Sequence, residues 1–269
     1  MFIRIWLHGP IRNRYSGRVN LKILSRAKGL SAKNILIKIN WCVMNCEVRS
    51  EVYNMDCLEY MKTLPDNCFD LCIADPPYGI NRSGQHKIDC KNKKHNRKFF
   101  EKKDWDLDIP CEDIFKEMFR VSKNQIIWGA NYFTQYLPKS MGWIVWDKGQ
   151  HGLTMSDGEL AFTSFERALR INVINRCKLA IEGTIHPTQK PIALYHWVLK
   201  NYAKTGDKIF DPFLGSGSSR IAAYKMGFDF VGCEIDEEYF RLSEERFQKE
   251  CKGVEDNKNG ITIVQGSLF

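Results

Sequence analysis

KIFDPFLGSGSSRIAAYKMGFDFVGCE, residues 208–234, is the stretch that decides the fold. KIFD (208–211) reads as a short buried strand. Asp211-Pro212-Phe213-Leu214-Gly215-Ser216-Gly217-Ser218-Ser219 is a turn whose glycines let the backbone reverse sharply and approach a ligand. SSRIAAYKMG (218–227) has the composition of a helix and closes on Gly227, a common C-terminal stop. FDFVGCE (228–234) is a second strand, and it ends in Glu234, 19 residues after Gly215. A strand, a Gly-rich turn, a helix and a strand ending in an acid form a unit that holds nucleosides. The turn approaches the ligand, and the acid accepts from a ribose diol. The Lys-Ser/Thr of an ATP-binding phosphate loop is missing, which argues against ATP.

Outward from this unit the same alternation continues. EEYFRLSEERFQKE (237–250) is an amphipathic helix. PIALYHWVLKNYA (191–203) is another, with Pro191 in its first turn. EVYN (51–54) is a strand, and a helix from Cys57 to Leu64 follows, ended by Pro65-Asp66-Asn67. CFDLCIA (68–74) is a continuous apolar run between turn signals, the mark of a buried parallel strand. Further strands are predicted at QIIWG (125–129), GWIVWD (142–147) and ELAFTSF (159–165), with a helix at IFKEMFRVS (114–122). The predicted class is α/β: a doubly wound, mostly parallel, Rossmann-like sheet of the seven-stranded type with helices on both faces. No internal repeat is present. Trp128, Trp143 and Trp146 read as core.

The charge of +8 is unevenly placed. Residues 1–46 carry nine Lys or Arg and no acid, while the remainder carries 31 basic and 32 acidic residues. Overall basicity therefore says little about nucleic-acid binding. Residues 1–43 have weak periodicity and are expected to be a dispensable basic extension, with translation starting at Met44. The alternatives are an arm that adds nonspecific DNA affinity or, from its Arg-rich, acid-free composition, an organellar transit peptide. The core domain is expected over 44–250 and a tail over 251–269. Ten cysteines form no CxxC pair, which suits a reduced cytoplasmic protein. A zinc site from His86, Cys90 and His95 is weighed and set aside, because the spacing fits no standard pattern; the expected metal count is none. No apolar run reaches the length of a membrane span.

Asp75-Pro76-Pro77-Tyr78 follows the apolar run of 68–74 directly. An acid at the carboxyl end of a parallel strand is aimed at a ligand. An aromatic amine is a poor nucleophile because its lone pair is delocalised into the ring. The Asp75 carboxylate and the Pro76 carbonyl could take its two hydrogens and leave the lone pair available for in-line attack on a methyl group. The prolines stiffen the loop, and Tyr78 offers a flat face to an extruded base. Taken alone, Asp-Pro-Pro is equally a rigid strand-ending turn.

Taken together, DPPY, DPFLGSGSS and His186-Pro187-Thr188-Gln189-Lys190-Pro191 resemble the motifs of the DNA amino-methyltransferases over roughly residues 47–250. Catalytic motif first and cofactor loop last is the order of the β class. The resemblance implies S-adenosylmethionine as cofactor, double-stranded DNA as partner, and the 6-amino group of adenine as acceptor, since Asp75 rather than Ser heads the motif. Cytosine's 4-amine, an RNA adenine and a catalytically silent binding module are the alternatives. Asp75, Pro76, Pro77 and Tyr78 would be catalytic. Asp56 and Leu58 would lie near the cofactor's adenine, Glu234 at its ribose, and Thr188, Gln189 and Lys190 at its methionine part, with Thr188 and Lys190 on the carboxylate. Asp211, Phe213, Gly215, Gly217 and Ser218 would form the cofactor turn. Leu214 and Ser218-Ser219 depart mildly from the commoner Ala and Thr-Thr. Residues 81–106, rich in basic residues with Phe99, Phe100 and Trp105 interspersed, read as a DNA-binding loop or a solvated one. Residues 166–185 lie where the family carries its target-recognition segment, with Arg167, Arg170, Arg176 and Lys178 able to reach phosphates or guanine edges. A homodimer and a cognate restriction enzyme are compatible with the resemblance. The last five residues, Gln265–Phe269, resemble a sliding-clamp docking peptide. An edge strand formed by ITIV, or its packing on the core, is the preferred alternative.

Overall fold

A computed structural model describes residues 48–84, 98–152, 156–175, 182–256 and 262–264, and everything below concerns the unit Ser50–Phe269. Residues 1–43, His86, Cys90, His95, Arg176, Lys178 and the Gln265–Phe269 peptide lie outside the described residues, as do 85–97 of the basic loop.

Eight strands form one sheet in the order β1-β8-β7-β2-β3-β5-β4-β6. They are β1 (Ser50–Asn54), β2 (Phe69–Ala74), β3 (Ser122–Trp128), β4 (Trp143–Asp147), β5 (Gly158–Thr163), β6 (Arg170–Val173), β7 (Lys208–Asp211) and β8 (Asp229–Glu234). From β1 to β3 every pairing is parallel. β5 then runs antiparallel to both β3 and β4, and β6 lies parallel to β4 at the edge. Helices α1 (Cys57–Lys62), α2 (Glu112–Val121), α3 (Ile192–Tyr202), α4 (Ser218–Met226) and α5 (Glu237–Phe247) are among the connections.

β2 shows why the apolar run becomes a central strand. From Leu71 to Ala74 its side chains alternate between two separate cores. Leu71 and Ile73 join Ile126, Trp128 and Ile209 beneath Leu194, Val198 and Leu199 of α3 and Ala222 and Ala223 of α4. Cys72 and Ala74 join Phe69, Ile127 and Phe210 beneath Met61 of α1 and Phe115 and Met118 of α2. A strand covered on both faces needs apolar residues at every position, so it shows no polar alternation. Phe69 and Phe210 stack with centroids 4.6 Å apart across the β2–β7 pairing. The expected core tryptophans are there: Trp128 and Trp146 are buried in the first core, Trp143 is half-buried against the second, and the Trp146 indole donates to Ile174 O at 2.9 Å.

Three expectations change. The sheet has eight strands where seven were expected, because RINV (170–173) adds β6 inside the segment read as target recognition. Its apolar positions Ile171 and Val173 are 63% and 65% exposed, so no core pattern announced it. ITIV does form a strand, β10 (Thr262–Val264), but it pairs antiparallel with β9 (Val254–Asp256) in a separate two-stranded sheet and adds nothing to the main one. The helix expected to reach residue 250 is α-helical to Phe247 and continues as a π turn over Gln248–Lys252. Among the described residues no helix is long and apolar enough to cross a membrane.

Candidate active site

Five parallel strands share one carboxyl edge, and the motif residues gather there. Asn54 of β1 lies in register with Glu234 of β8, and Asp211 of β7 with Gly232. β2 ends at Ala74, so Asp75 emerges beside the end of β7. β5 runs the opposite way, which brings its first residues, including Glu159, to the same edge.

Asp75 is the hub of a largely buried ionic cluster. Its Oδ1 accepts from Lys190 Nζ at 2.5 Å and from the Tyr78 hydroxyl at 2.8 Å. Lys190 also lies 3.0 Å from Glu159 Oε2 and 3.0 Å from the Tyr78 oxygen. Lys148 closes the cluster at 2.9 Å from Glu159 Oε1. Burial raises the Asp75 carboxyl above its ordinary value; the Lys190 charge opposes this and the Glu159 charge reinforces it. Burial would raise Glu159 too, but Lys190 and Lys148 outweigh it and bring that group down to about 2. Lys190 is held above its ordinary value: burial works against its charge, and Asp75 and Glu159 more than offset this. Tyr78, raised by burial and by the two carboxylates, stays a protonated donor.

The Tyr78 ring stacks on Tyr132 at 5.0 Å between centroids and meets Phe133 edge-on at 6.1 Å. Gly129 forms the floor: its φ is +67°, and a Cβ there would run into the Tyr78 ring. Asp106 fixes the loop from outside. Its Oδ1 accepts from the N–H groups of Tyr78 at 2.8 Å and Gly79 at 3.0 Å, and its Oδ2 from that of Arg82 at 2.6 Å.

The Gly-rich turn is tied to its acid. Glu234 Oε2 accepts from Gly215 N–H at 2.7 Å, and Oε1 from Asp236 N–H at 2.9 Å. Burial raises its pKa against these two bonds. Each carboxylate oxygen keeps a lone pair for a further donor. Asp211 accepts from Phe213 N–H at 2.9 Å and the Ser219 hydroxyl at 2.5 Å, and burial lifts it to about 7. Arg246 of α5 donates to Ser216 O at 2.9 Å and to the Ser218 hydroxyl at 2.8 Å, holding the turn from the far side. Asp56 caps α1, accepting from Leu58 N–H at 2.7 Å and Glu59 N–H at 3.2 Å, just beyond the end of β1.

The HPTQKP segment divides its residues. Lys190 turns toward Asp75, whereas Thr188 is exposed with its hydroxyl 3.1 Å from His186 Nδ1. Gln189 spends its amide on the segment itself, accepting from Ile185 N–H at 3.0 Å and donating to Gly183 O at 2.9 Å. His186 lies between Trp105 (5.1 Å) and Tyr239 (4.3 Å), and burial lowers it to about 3, so it is neutral at neutral pH. Lys103, two residues before Trp105, bridges to Asp236 at 2.7 Å and Glu238 at 2.9 Å.

Thus Asp75, Tyr78 and Lys190 form one group, and Asp211, Phe213, Gly215, Gly217, Ser218 and Glu234 another beside it. Glu159, Lys148, Asp106, Arg246 and Gly129 went unnoticed in the sequence. Glu159 alone carried a signal: an acid at the head of an otherwise apolar strand, ELAFT. The others acquire their partners only through folding.

Residues 145–245, which include the Gly-rich turn and the HPTQKP segment but not Asp75–Tyr78, match a family described as DNA methylase. The type II methyltransferase M.HpaI of Haemophilus parainfluenzae is 25% identical over 243 residues, covering 74% of each chain. The type II methyltransferase M2.MboI of Moraxella bovis is 22% identical over 244 residues, covering 74% of this chain and 87% of its own. Among solved structures, the PvuII cytosine-N4-specific DNA methyltransferase matches the fold with a TM-score of 0.50 at 16% identity, over 79% of this chain and 89% of its own.

Proposed function

We propose that the chain is a DNA methylase, the family that its residues 145–245 match, and that it transfers a methyl group from S-adenosylmethionine to the 6-amino nitrogen of adenine in DNA. The observation that carries this reading is the placement of two sites on one sheet edge. The Asp75–Tyr78 loop leaves β2 and the Gly215–Gly217 turn leaves β7, and these strands are hydrogen-bonded neighbours.

The turn side suits a nucleoside. A Cβ at Gly215 would meet nothing nearer than 3.9 Å, ordinary van der Waals contact with Phe213 and His186. Glu234 has lone pairs for ribose hydroxyls, and Asp56 and Leu58 stand one strand away. A sulfonium makes its methyl electrophilic without a metal.

The chain's own residues prepare the acceptor. Asp75 Oδ1 is occupied by Tyr78 and Lys190, so Oδ2 faces the amine and takes one of its hydrogens. The Pro76 carbonyl takes the second in this reading. Holding both hydrogens in fixed directions draws the nitrogen toward a tetrahedral shape and frees its lone pair. One amine proton must leave as the new N–C bond forms, and the raised Asp75 carboxylate is a base suited to receive it. Stacked Tyr78 and Tyr132 make a flat wall for a base extruded from the helix, where its amine is otherwise out of reach.

The discriminating experiment supplies labelled S-adenosylmethionine with duplex DNA, single-stranded DNA and RNA, followed by nucleoside analysis. Label in N6-methyladenine from DNA is expected. Label in N4-methylcytosine, or in RNA alone, replaces the acceptor. No label in any arm indicates a binding module.

A further inference from the structure

We propose that Lys190 and Glu159 are positioning residues of the acceptor site, which occupy Oδ1 of Asp75 and leave Oδ2 as its single open acceptor. The proposal rests on the reading of Asp75 as the group that receives the amine. Its basis is hydrogen-bond accounting. An ammonium has three hydrogens. Those of Lys190 have three partners: Asp75 Oδ1, the Tyr78 oxygen and Glu159 Oε2, at 2.5, 3.0 and 3.0 Å. None is left for a carboxylate brought by a cofactor, the role that the motif's resemblance assigns to this lysine.

Glu159 supplies what Asp75 alone could not. A lone ammonium beside a carboxylate is free to swing across both oxygens. A second carboxylate, Glu159, whose Oε2 also lies 3.2 Å from the Tyr78 hydroxyl, holds Lys190 in place, and Lys148 in turn holds Glu159 at 2.9 Å. Two carboxylates and two ammonium groups balance, so Asp75 keeps its negative charge without a surplus of cations around it. The titratable groups facing Asp75 are Tyr78 from its own loop, Lys190 from the HPTQKP segment and Glu159 from β5. Asp211 from β7 and Tyr195 from α3 complete the set.

The test uses the full chain with Glu159→Gln, Glu159→Asp and Lys190→Gln. In Glu159→Gln, kcat is expected to fall by about tenfold to a hundredfold, the scale of a misplaced catalytic group. Affinity for S-adenosylhomocysteine, by calorimetry, should stay at the wild-type value. The acid limb of the kcat profile should move to lower pH, because a charge that raises Asp75 is gone; a merely structural residue would leave that limb in place. Glu159→Asp keeps the charge but withdraws it by one methylene, so kcat should fall with the acid limb unmoved. It carries the test if the Gln variant fails to fold. In Lys190→Gln, the ratio of affinities for S-adenosylhomocysteine and methylthioadenosine, which lacks the carboxylate, should not change. An unmoved acid limb in Glu159→Gln, wild-type kcat in Glu159→Asp, or a fall in that ratio overturns the proposal. If the wild type methylates no nucleic acid, the functional reading fails instead, and the affinity ratio still decides where Lys190 acts.

Discussion

Asp106 holds Tyr78 from 28 residues downstream, its Oδ1 accepting the backbone N–H at 2.8 Å while the same oxygen takes Gly79 and Oδ2 takes Arg82. Three N–H groups of the DPPY loop and its continuation thus converge on one buried carboxylate. Asp106→Ala strands them, which should cost about 2–3 kcal/mol in urea unfolding. Methyl transfer should fall at least as steeply as in Asp106→Asn, which keeps one acceptor. Unchanged turnover in the Ala variant would show that the loop holds its shape without this clamp.

Asp75→Ala and Glu234→Ala should separate the two halves of the site. The first removes the group facing the amine, so transfer should vanish while cofactor affinity stays. The second removes a charged acceptor at the turn, and a hydrogen bond of that kind is worth about 1.5–3 kcal/mol. Cofactor affinity should fall accordingly by calorimetry. Wild-type turnover in Asp75→Ala would sink the catalytic assignment of that residue.

Gly129→Ala puts a methyl group into the Tyr78 ring at a backbone angle, φ +67°, that suits glycine. The conformation alone costs about 1–2 kcal/mol for another residue. Tyr78 must also leave its place on Tyr132, so activity should drop further than the fall in unfolding midpoint explains. Full activity in a folded variant would refute the role of this floor.

Asp211 gives a pH signature. Burial raises its folded pKa to about 7 from an ordinary value of 3.8. A group raised on folding contributes stability that is complete below the unfolded value and lost as pH rises through the folded one. Between pH 4 and 7, on the order of that window, the wild type should therefore lose a contribution that Asp211→Asn does not have to lose. Asn keeps an acceptor for Phe213 N–H. The variant should gain in melting temperature relative to wild type on moving from pH 5 to pH 8, and a gap that stays constant would rule the buried acid out as the cause.

A chain beginning at Met44 should fold and methylate like the full one. The acid-free segment 1–43 carries none of the motif residues, and the compact unit of the catalytic motifs starts at Ser50. A large fall in activity at moderate salt would instead make those residues a DNA-binding arm.

By itself the sequence determined the sheet's parallel core and the location of both motifs. Local chemistry is sufficient there: KIFD, FDFVGCE and FDLCIA each carry a short apolar run because both faces are covered, and glycines mark the turns where the backbone must reverse. Asp75, Gly215 and Glu234 were legible because each stands at a strand end, where a parallel sheet presents its ligands. Tertiary structure decided the rest. Lys190 follows Thr188 by two residues, yet it faces Asp75, 115 positions earlier. Glu159 reaches the same cluster because β5 runs against its neighbours, a direction that no local pattern encodes. Asp106 and Arg246 look like surface charges in the sequence and become buried clamps. The edge strand β6 exposes its apolar residues, so its pairing with β4 left no mark in hydrophobic periodicity. Hydrophobic pattern records what a segment buries, whereas the partner of a buried charge is fixed only when distant segments meet.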